Sequence, residues 1–225
     1  MPPAHFLRNI SFLKGLNRSD LESIRKISRL RRFAKGERIF SREQVGSHLF
    51  IVMSGRVKIY ITSAVGKTKT FAFLEKGDFF GEMALLEGDV RSASALAVKD
   101  SELMILCRKD FRRLLQSKPS IMLKMLRILS ERLRGANQEI EALTFQNVLS
   151  RVVRVLFQLA GKYGRRRGRC ILIRTAVTQQ ELAELAGTAR ELVTRVLGKL
   201  RRMGCITQEG NLLVLADPEK MRNWV

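Results

Sequence analysis

The sequence has few of the side chains from which metal and redox sites are usually built. Its 225 residues include only three cysteines and two histidines. Cys107, Cys170 and Cys205 lie far apart, and none belongs to a C-x-x-C pair, the usual spacing of a metal or redox site. We therefore expect reduced thiols and no metal ion.

Long apolar stretches are also missing. No run of apolar residues approaches the roughly 18 that a membrane-spanning helix needs. The first five residues, Met1-Pro2-Pro3-Ala4-His5, do not form a charged segment that leads into an apolar core, as a secretory signal would. The sequence thus predicts a cytoplasmic protein without a membrane partner.

Acidic residues are scarce relative to basic ones. The chain has 42 Lys and Arg against 21 Asp and Glu, a formal net charge of +21. Because neutralising phosphates releases condensed counterions, such an excess favours binding to a polyanion such as nucleic acid. A basic surface without such a partner is the alternative that charge alone leaves open.

Short strands separated by glycines are predicted over residues 36–107. The run from Val57 to Ile61 alternates apolar and polar residues, which is the period of a half-buried strand. The regular spacing of the turns favours an antiparallel barrel or roll. A helix over 19–30, capped by Ser19 or Asp20, is predicted to precede it.

A heptad pattern begins after Pro119. Apolar residues recur at alternating spacings of four and three as far as a terminal asparagine, at Met122, Leu126, Leu129, Leu133, Ala136, Ile140, Leu143 and Asn147. Such a narrow stripe is typical of a coiled-coil seam and predicts a dimerisation helix over 119–146. The alternative is a long helix that packs on its own domain.

Residues 178–202 carry the signature of a helix-turn-helix. Thr178 to Glu181 is a capping box, and Gly187 suits the turn that follows the first helix. The second helix is predicted to start near Thr188 or Ala189 and to bury Leu192, Val193, Val196, Leu197 and Leu200. Its polar side is where a recognition helix meets base edges. The predicted DNA-binding residues are Thr178, Gln179, Arg190, Glu191, Thr194, Arg195 and Lys199.

The segments on either side of this motif complete the predicted DNA-binding domain. A helix over 148–159 is predicted to end near Gly161, and the basic, glycine-punctuated run 161–169 is predicted to be a loop. That run is either a solvated hairpin or loop tip, or a contact to phosphate or protein. Residues 204–215 are predicted to form two short strands around a Gly-Asn turn, as in the wing of a winged helix.

A candidate anion site lies at residues 79–93. Gly81 followed by a short helix exposes backbone N–H groups, and Arg91 can form a charge-assisted hydrogen bond to a phosphate. Ser92 can add a hydroxyl, and Glu82 can accept from a ribose hydroxyl. The alternative is a turn in which an Arg–Glu pair is only structural. These groups suit binding rather than turnover, so we do not expect an enzyme.

The run from Phe80 to Leu86, followed by Arg91-Ser92-Ala93, resembles the phosphate-binding cassette of cyclic-nucleotide-binding domains. Gly46 to Tyr60 resembles a strand pair of that jelly-roll domain. Together with the long helix and the Arg190-Glu191-x-x-x-Arg195 pattern, these motifs make nearly the whole chain similar to the cyclic-AMP receptor protein / fumarate-nitrate regulator superfamily of bacterial transcription regulators.

The resemblance implies cyclic AMP as the effector. The residues it assigns to the ligand are Gly81, Glu82, Met83, Arg91, Ser92 and Asn137. Asn137 and Ala136 stand where relatives often carry hydroxyl residues that contact the base, and this departure leaves the identity of the base open. Iron–sulfur and haem sensors of the superfamily carry an N-terminal cysteine group or a matching histidine, neither of which is found here, so no haem is expected.

The predicted fold is therefore α+β: an N-terminal cyclic-nucleotide-binding β-roll over 1–118, a dimerisation helix over 119–146 and a winged helix-turn-helix over 147–225. The predicted partners are palindromic double-stranded DNA, a second copy of the chain and RNA polymerase. Two alternatives remain at this point. One is a regulator of the same superfamily that needs no nucleotide, and the other is a nucleic-acid-binding protein of low sequence specificity.

Overall fold

The chain forms two compact units, residues 1–134 and residues 135–225. The computed structural model describes residues 4–8, 10–174 and 177–224. Both units combine helices with an antiparallel sheet, which confirms the predicted α+β class. The predicted three-part division of the chain stays a prediction, because the long helix that contains residues 119–145 lies across the boundary between the units.

The first unit is a β-roll flanked by helices. Its elements, in chain order, are α1 (Ala4–Leu7), a 3-10 turn (Ser11–Leu13), α2 (Arg18–Ile27), β1 (Ser28–Phe33), β2 (Arg38–Phe40), β3 (His48–Thr62), β4 (Thr68–Leu74), β5 (Phe79–Phe80), α3 (Glu82–Glu87), β6 (Ser94–Cys107), α4 (Arg108–Ser117) and α5 (Pro119–Phe145). The sheet has the order β1-β6-β3-β4, with β2 paired to β6 and β5 paired to β3, and all these pairs are antiparallel.

Two apolar cores lie on opposite faces of this sheet. Leu49 and Ile51 of β3 join a cluster with α2, α4 and the start of α5, whereas Phe50 and Val52 join a second cluster inside the roll. This division follows from the period of two, by which neighbouring side chains of a strand point to opposite faces. The inner cluster reaches Phe80, which directly precedes Gly81 in the predicted anion site.

The first helix of the β-roll differs from the prediction over 19–30. Helix α2 begins one residue earlier and ends at Ile27, and residues 28–33 form strand β1, which pairs with β6. The N-cap is Asn17, whose side chain accepts a hydrogen bond from the backbone of Asp20. Sequence periodicity missed this boundary because the pairing partner of β1 lies about seventy residues further along the chain.

Helix α5 carries the predicted heptad stripe. Near its start, Ile121 and Met125 are buried in the core of the first unit. The stripe itself is mostly exposed in the single chain, at Met122, Leu126, Leu133, Ala136, Ile140 and Leu143. An exposed apolar stripe of this length argues against the alternative of a helix packed wholly on its own domain.

The second unit joins helices to a small antiparallel sheet. After the end of α5 its elements are α6 (Val148–Tyr163), β7 (Gly164–Arg167), β8 (Cys170–Ile173), α7 (Gln179–Ala186), α8 (Arg190–Arg202), β9 (Ile206–Glu209), β10 (Leu212–Leu215) and α9 (Pro218–Arg222). The sheet order is β7-β8-β10-β9. The predicted wing is confirmed as β9 and β10, joined at Gly210, which has a positive φ of 57°.

The prediction of a loop over 161–169 is wrong, and the alternative of a hairpin fits the structure. Helix α6 continues to Tyr163, and Gly164–Arg167 form strand β7, which pairs with β8. Glycine and arginine suggested a loop by composition, but pairing with the apolar strand β8 decides the local structure. The basic run is therefore one arm of a β-hairpin, with Gly168 in the turn at φ 63°.

Two kinds of feature are absent from residues 4–8, 10–174 and 177–224. No helix among those residues is long and apolar enough to span a membrane. No group of three or more His, Cys, Asp or Glu side chains in the same ranges could hold a metal ion.

Candidate functional site

The predicted anion site is built around a left-handed glycine. Gly81 follows strand β5, has a φ of 82° and serves as the N-cap of α3. A Cβ atom at this position would lie 2.6 Å from Nη1 of Arg91. Glycine is therefore required twice here, once for the backbone conformation and once for the close approach of the guanidinium group.

Arg91 is almost fully buried, with 5% of its surface exposed. Its Nη1 donates to the carbonyl of Gly81 at 2.8 Å, and its Nη2 donates to the carbonyl of His48 at 2.9 Å. The guanidinium carbon lies 4.2 Å from the ring centroid of Phe40. Within the described residues no carboxylate comes within 4.0 Å of it, so the positive charge is desolvated and has no direct counterion.

The electrostatics of this cluster favour a bound anion. Burial lowers the pKa of Arg91; Glu82 opposes that shift, and Arg108 adds to it. Partial desolvation also lowers the pKa of His48, an exposed residue at the start of β3, and the charges of Arg91 and Arg29 lower it further. Positive charge thus accumulates around the glycine turn, and an anion would relieve the repulsion.

Glu82 is the buried carboxylate of the site. Its Oε1 accepts a hydrogen bond from Nη1 of Arg132 at 2.6 Å. Its Oε2 is buried and has no hydrogen-bond partner among the described residues. A buried acceptor without a donor is unfavourable, and a ligand hydroxyl group would satisfy it.

Two arginines at this site were not predicted from the sequence. Arg132 of α5 also donates to the carbonyl of Phe79 at 2.7 Å. Arg108, at the start of α4, donates to the carbonyls of Gly46 and Ala84, the latter at 2.9 Å. The sequence did give one indication for Arg132, which directly precedes Leu133 and so lies beside the heptad stripe of the predicted helix. No local pattern marks Arg108, because both of its partners are backbone groups distant in sequence.

The remaining predicted ligand residues are exposed. The hydroxyl of Ser92 lies 3.5 Å from the sulfur of Met83, and both side chains reach the surface. Asn137 is exposed on α5 and belongs to the second unit. The structure therefore brings Gly81, Glu82 and Arg91 together, with Met83 and Ser92 beside them, and a ligand role for Asn137 stays a prediction.

The helix-turn-helix has the predicted local structure. Thr178 caps α7 through a complete capping box with Glu181, and Gly187 ends the helix at φ 61°. Helix α8 begins at Arg190, directly after Ala189. Both the hydroxyl and the backbone N–H of Thr178 bond to Glu181, so this residue acts first as a helix cap.

The outer face of α8 is polar at its start. Arg190, Glu191, Thr194, Arg195 and Lys199 are all exposed. Arg190, Glu191 and Arg195 make no side-chain hydrogen bond or ion pair to any residue that the structure describes. These charges are thus available to an external partner.

The buried face of α8 is narrower than predicted. Val193, Leu197 and Leu200 are buried, and Val196 is half-buried. Leu192, predicted to be buried, is 36% exposed. Leu192 comes directly after Glu191 and lies at the edge of the polar face. The spacing of apolar residues in the sequence could not distinguish this edge position from a core position.

The wing is tied to neighbouring elements by polar contacts. Nη2 of Arg201 in α8 donates to the side chain of Gln208 in β9 at 3.2 Å. Arg167 of β7 forms an ion pair with Glu209 at 3.0 Å. These contacts use exposed groups, so each contributes little to stability.

Comparisons with known proteins agree with this architecture. The family model of the cyclic nucleotide-binding domain matches residues 30–118, and the model of the Crp-like helix-turn-helix domain matches residues 150–224. The chain is 38% identical over 176 residues to the cyclic AMP receptor protein of Thermus thermophilus, covering 78% of each chain. It is 28% identical over 215 residues, 96% of each chain, to a CRP-like cAMP-activated global transcriptional regulator of Mycobacterium tuberculosis.

Solved structures give the same picture. A mutant of CooA from Carboxydothermus hydrogenoformans matches with a TM-score of 0.78 and 25% identity, covering 88% of each chain. The c-di-GMP responsive global regulator CLP of Xanthomonas campestris matches with a TM-score of 0.75 and 27% identity, covering 88% of this chain and 99% of that one. The chain belongs to the CRP/FNR family of transcription regulators, which are DNA-binding proteins and not enzymes, with a cyclic nucleotide-binding domain before a helix-turn-helix.

Proposed function

We propose that this protein is a cytoplasmic, homodimeric regulator whose binding to palindromic DNA is controlled by cyclic AMP. The burial of both Arg91 and Glu82 is the observation that carries the choice of a cyclic nucleotide. One group offers a desolvated positive charge, and the other offers a buried acceptor without a donor. A cyclic phosphate next to a ribose hydroxyl supplies the two complementary groups.

The residues present fit such a ligand in a defined way. Arg91 and Ser92 would hold the phosphate, with Gly81 allowing its close approach and Met83 covering one side. Oε2 of Glu82 would accept from the ribose hydroxyl, while Oε1 keeps its bond to Arg132. Asn137 would contact the base. The relatives from Thermus thermophilus and Mycobacterium tuberculosis are named for cyclic AMP, which supports this effector over other nucleotides.

A homodimer is supported by the exposed heptad stripe of α5. Burying these leucine and isoleucine side chains between two parallel copies removes apolar surface from water. A two-fold dimer would present two copies of α8 to inverted half-sites about 34 Å apart. Arginine suits guanine O6 and N7, and Glu191 suits a cytosine or adenine amine. The proposed regulator also contacts RNA polymerase, as its place in the family supports.

Calorimetric titration tests the effector directly. Wild type is titrated with cyclic AMP and with cyclic GMP, each in the presence and absence of palindromic DNA. We expect saturable binding of cyclic AMP, and by linkage the cognate DNA must tighten it by the same factor by which the nucleotide tightens DNA. Glu82→Gln should weaken nucleotide binding, and Glu87→Gln, at the far end of α3, is the matched control. Absence of binding would favour a regulator that needs no nucleotide.

A second candidate is a protein that coats nucleic acid with low specificity. The observation in its favour is the net charge of +21. Competition between palindromic and random DNA separates the two, because a coating protein would be displaced equally well by both.

A further inference from the structure

A hydrogen bond joins the two helices of the helix-turn-helix at the DNA-facing side. The hydroxyl of Thr194 in α8 lies 2.6 Å from Oε1 of Gln179 in α7 and 3.0 Å from the carbonyl of Arg190. A hydroxyl has one proton to donate, and the shorter contact assigns it to Gln179. The amide oxygen of Gln179 is thereby occupied, and the side-chain NH2 group is turned away from Thr194.

Gln179 stands at the start of α7, where backbone N–H groups lack partners inside the helix. The neighbouring Thr178 has both its hydroxyl and its N–H bonded to Glu181. The amide nitrogen of Gln179 makes no hydrogen bond to any described residue. Two side-chain donors are therefore held at the positive end of a helix.

We propose that Thr194 is a positioning residue, which holds the Gln179 amide so that its NH2 group donates to a DNA phosphate oxygen. This inference rests on the proposed DNA binding of α8. The unused N–H groups of the Gln179 side chain need an acceptor, and phosphate oxygens are acceptors. The first helix of such a motif crosses the DNA backbone, whereas the second enters the groove. Thr194 thus acts on the backbone contact through Gln179, although it lies on the reading helix.

The opposite orientation of the amide makes a different prediction. If Oε1 faced the DNA, Gln179 would accept a hydrogen bond, and its partner would be an amine on a base edge. A carboxylate at position 179 separates the two cases, because it only accepts. It would be repelled by a phosphate but would bind an amine at least as well as the amide does.

Three single variants test the proposal first, by quantitative binding to a selected palindrome. Gln179→Glu should weaken binding about a hundredfold, since it places like charges together. This variant also puts an acidic residue in the first turn of α7, which favours the helix, so it should fold. Thr194→Val should weaken binding about tenfold, because the Gln179–phosphate hydrogen bonds of the two protomers lose their alignment but not their donor. Thr194→Ser keeps the hydroxyl and should match wild type.

The decisive measurement is the double variant. In a Gln179→Ala background, Thr194→Val should have no further effect, because its influence passes through Gln179. The selected DNA sequence should stay the same in every variant, as expected for a phosphate contact.

Three results would overturn the proposal: an undiminished effect of Thr194→Val in the Gln179→Ala background, equal or tighter binding by Gln179→Glu, and a changed base preference in Gln179→Ala. If wild type selected no palindrome, the proposed function would be wrong instead. The variants would then differ from wild type only in their affinity for DNA of any sequence.

Discussion

The charged side chains of the candidate sites are buried in one unit of the molecule and exposed in the other. In the first unit, Arg91 and Glu82 are at most 5% exposed and bond to neighbouring backbone or side-chain groups. In the second unit, Arg190 and Arg195 are exposed and make no side-chain hydrogen bond or ion pair within the described chain. The residues proposed to bind the ligand are therefore part of the packed interior, whereas the residues proposed to read DNA project from the surface.

This difference teaches how function and stability are linked in each unit. A buried charged group makes hydrogen bonds that its neighbours need, so its removal changes the stability of the fold as well as ligand binding. An exposed charged group can be replaced with little effect on folding. Single substitutions should thus be able to change which DNA sequence this protein prefers. A change of effector should require several coordinated substitutions.

Arg91→Ala should give the largest loss of stability. It leaves two backbone carbonyls without a donor and removes a cation from the ring of Phe40, for a loss of about 3 kcal/mol in the free energy of unfolding. Urea denaturation followed by circular dichroism measures this. Trp224 packs on the core of the second unit and is the only tryptophan, so its fluorescence should report an unshifted transition. An unchanged circular dichroism midpoint would contradict the structural role of Arg91.

Leu133→Glu should break the proposed dimer. The side chain lies in the middle of the stripe and is 63% exposed in the single chain, so the monomer should tolerate glutamate. In a parallel dimer the substitution buries two unpaired charges, for a cost of several kcal/mol. Sedimentation should then show a monomer. The matched control is Phe145→Glu, also on an exposed position of α5 but off the stripe, which should remain dimeric. Wild type that sediments as a monomer at micromolar concentration would contradict the dimer itself.

Arg190→Ala and Arg195→Ala should change DNA reading without changing stability. Each loss of a bidentate contact to guanine should cost about 1–3 kcal/mol of binding and relax preference at one symmetric pair of positions. Their free energies of unfolding should stay within about 0.5 kcal/mol of wild type. Binding-site selection from random DNA measures the first effect. Arg166→Lys in the basic hairpin is the control and should leave preference unchanged. If both alanine variants select the wild-type sequence, α8 is not the reader.

Glu43→Gly should stabilise the first unit slightly. Glu43 has a φ of 70°, the only positive value for a residue other than glycine in the described chain. Its backbone N–H is held by the carbonyl of Arg91 at 2.9 Å, so the conformation is fixed. Glycine relieves a strain of about 1 kcal/mol, and part of this is lost to the greater freedom of the unfolded chain. A rise in the melting temperature checks the prediction, whereas a fall would mean that the exposed ion pair of Glu43 with Arg42 contributes more than the strain costs.

Local chemistry made much of the local structure at both candidate sites predictable. The capping box at Thr178, the turn at Gly187 and the glycine-to-arginine spacing of the cassette depend on neighbours within about a dozen residues. Arg108 and Arg132 could not be found in this way, because their partners are backbone groups or a carboxylate from distant segments. The strand at Gly164–Arg167 was predicted as a loop, with a hairpin only as an alternative, since its pairing with β8 overrides a composition typical of loops.

The smallest predicted effect is a dependence of stability on pH that should belong to the first unit alone. The pKa of His48 is lowered from 6.5 by burial and then by Arg91 and Arg29, so the unfolded chain binds this proton more readily than the folded one. Above pH 6.5 both states are neutral here and the group has no effect. As the pH falls through 6.5, the unfolded state gains protons first, so the free energy of unfolding falls, and the loss levels off below the folded pKa.

His48→Gln should remove this contribution, so the difference in unfolding free energy between the variant and wild type should grow in favour of the variant from pH 7.5 to 5. An anion bound at Arg91 would raise the pKa of His48 and flatten the dependence. A difference that stays constant over this range would show that His48 has the same pKa in both states, and the cluster around Arg91 would then be less positive than its geometry indicates.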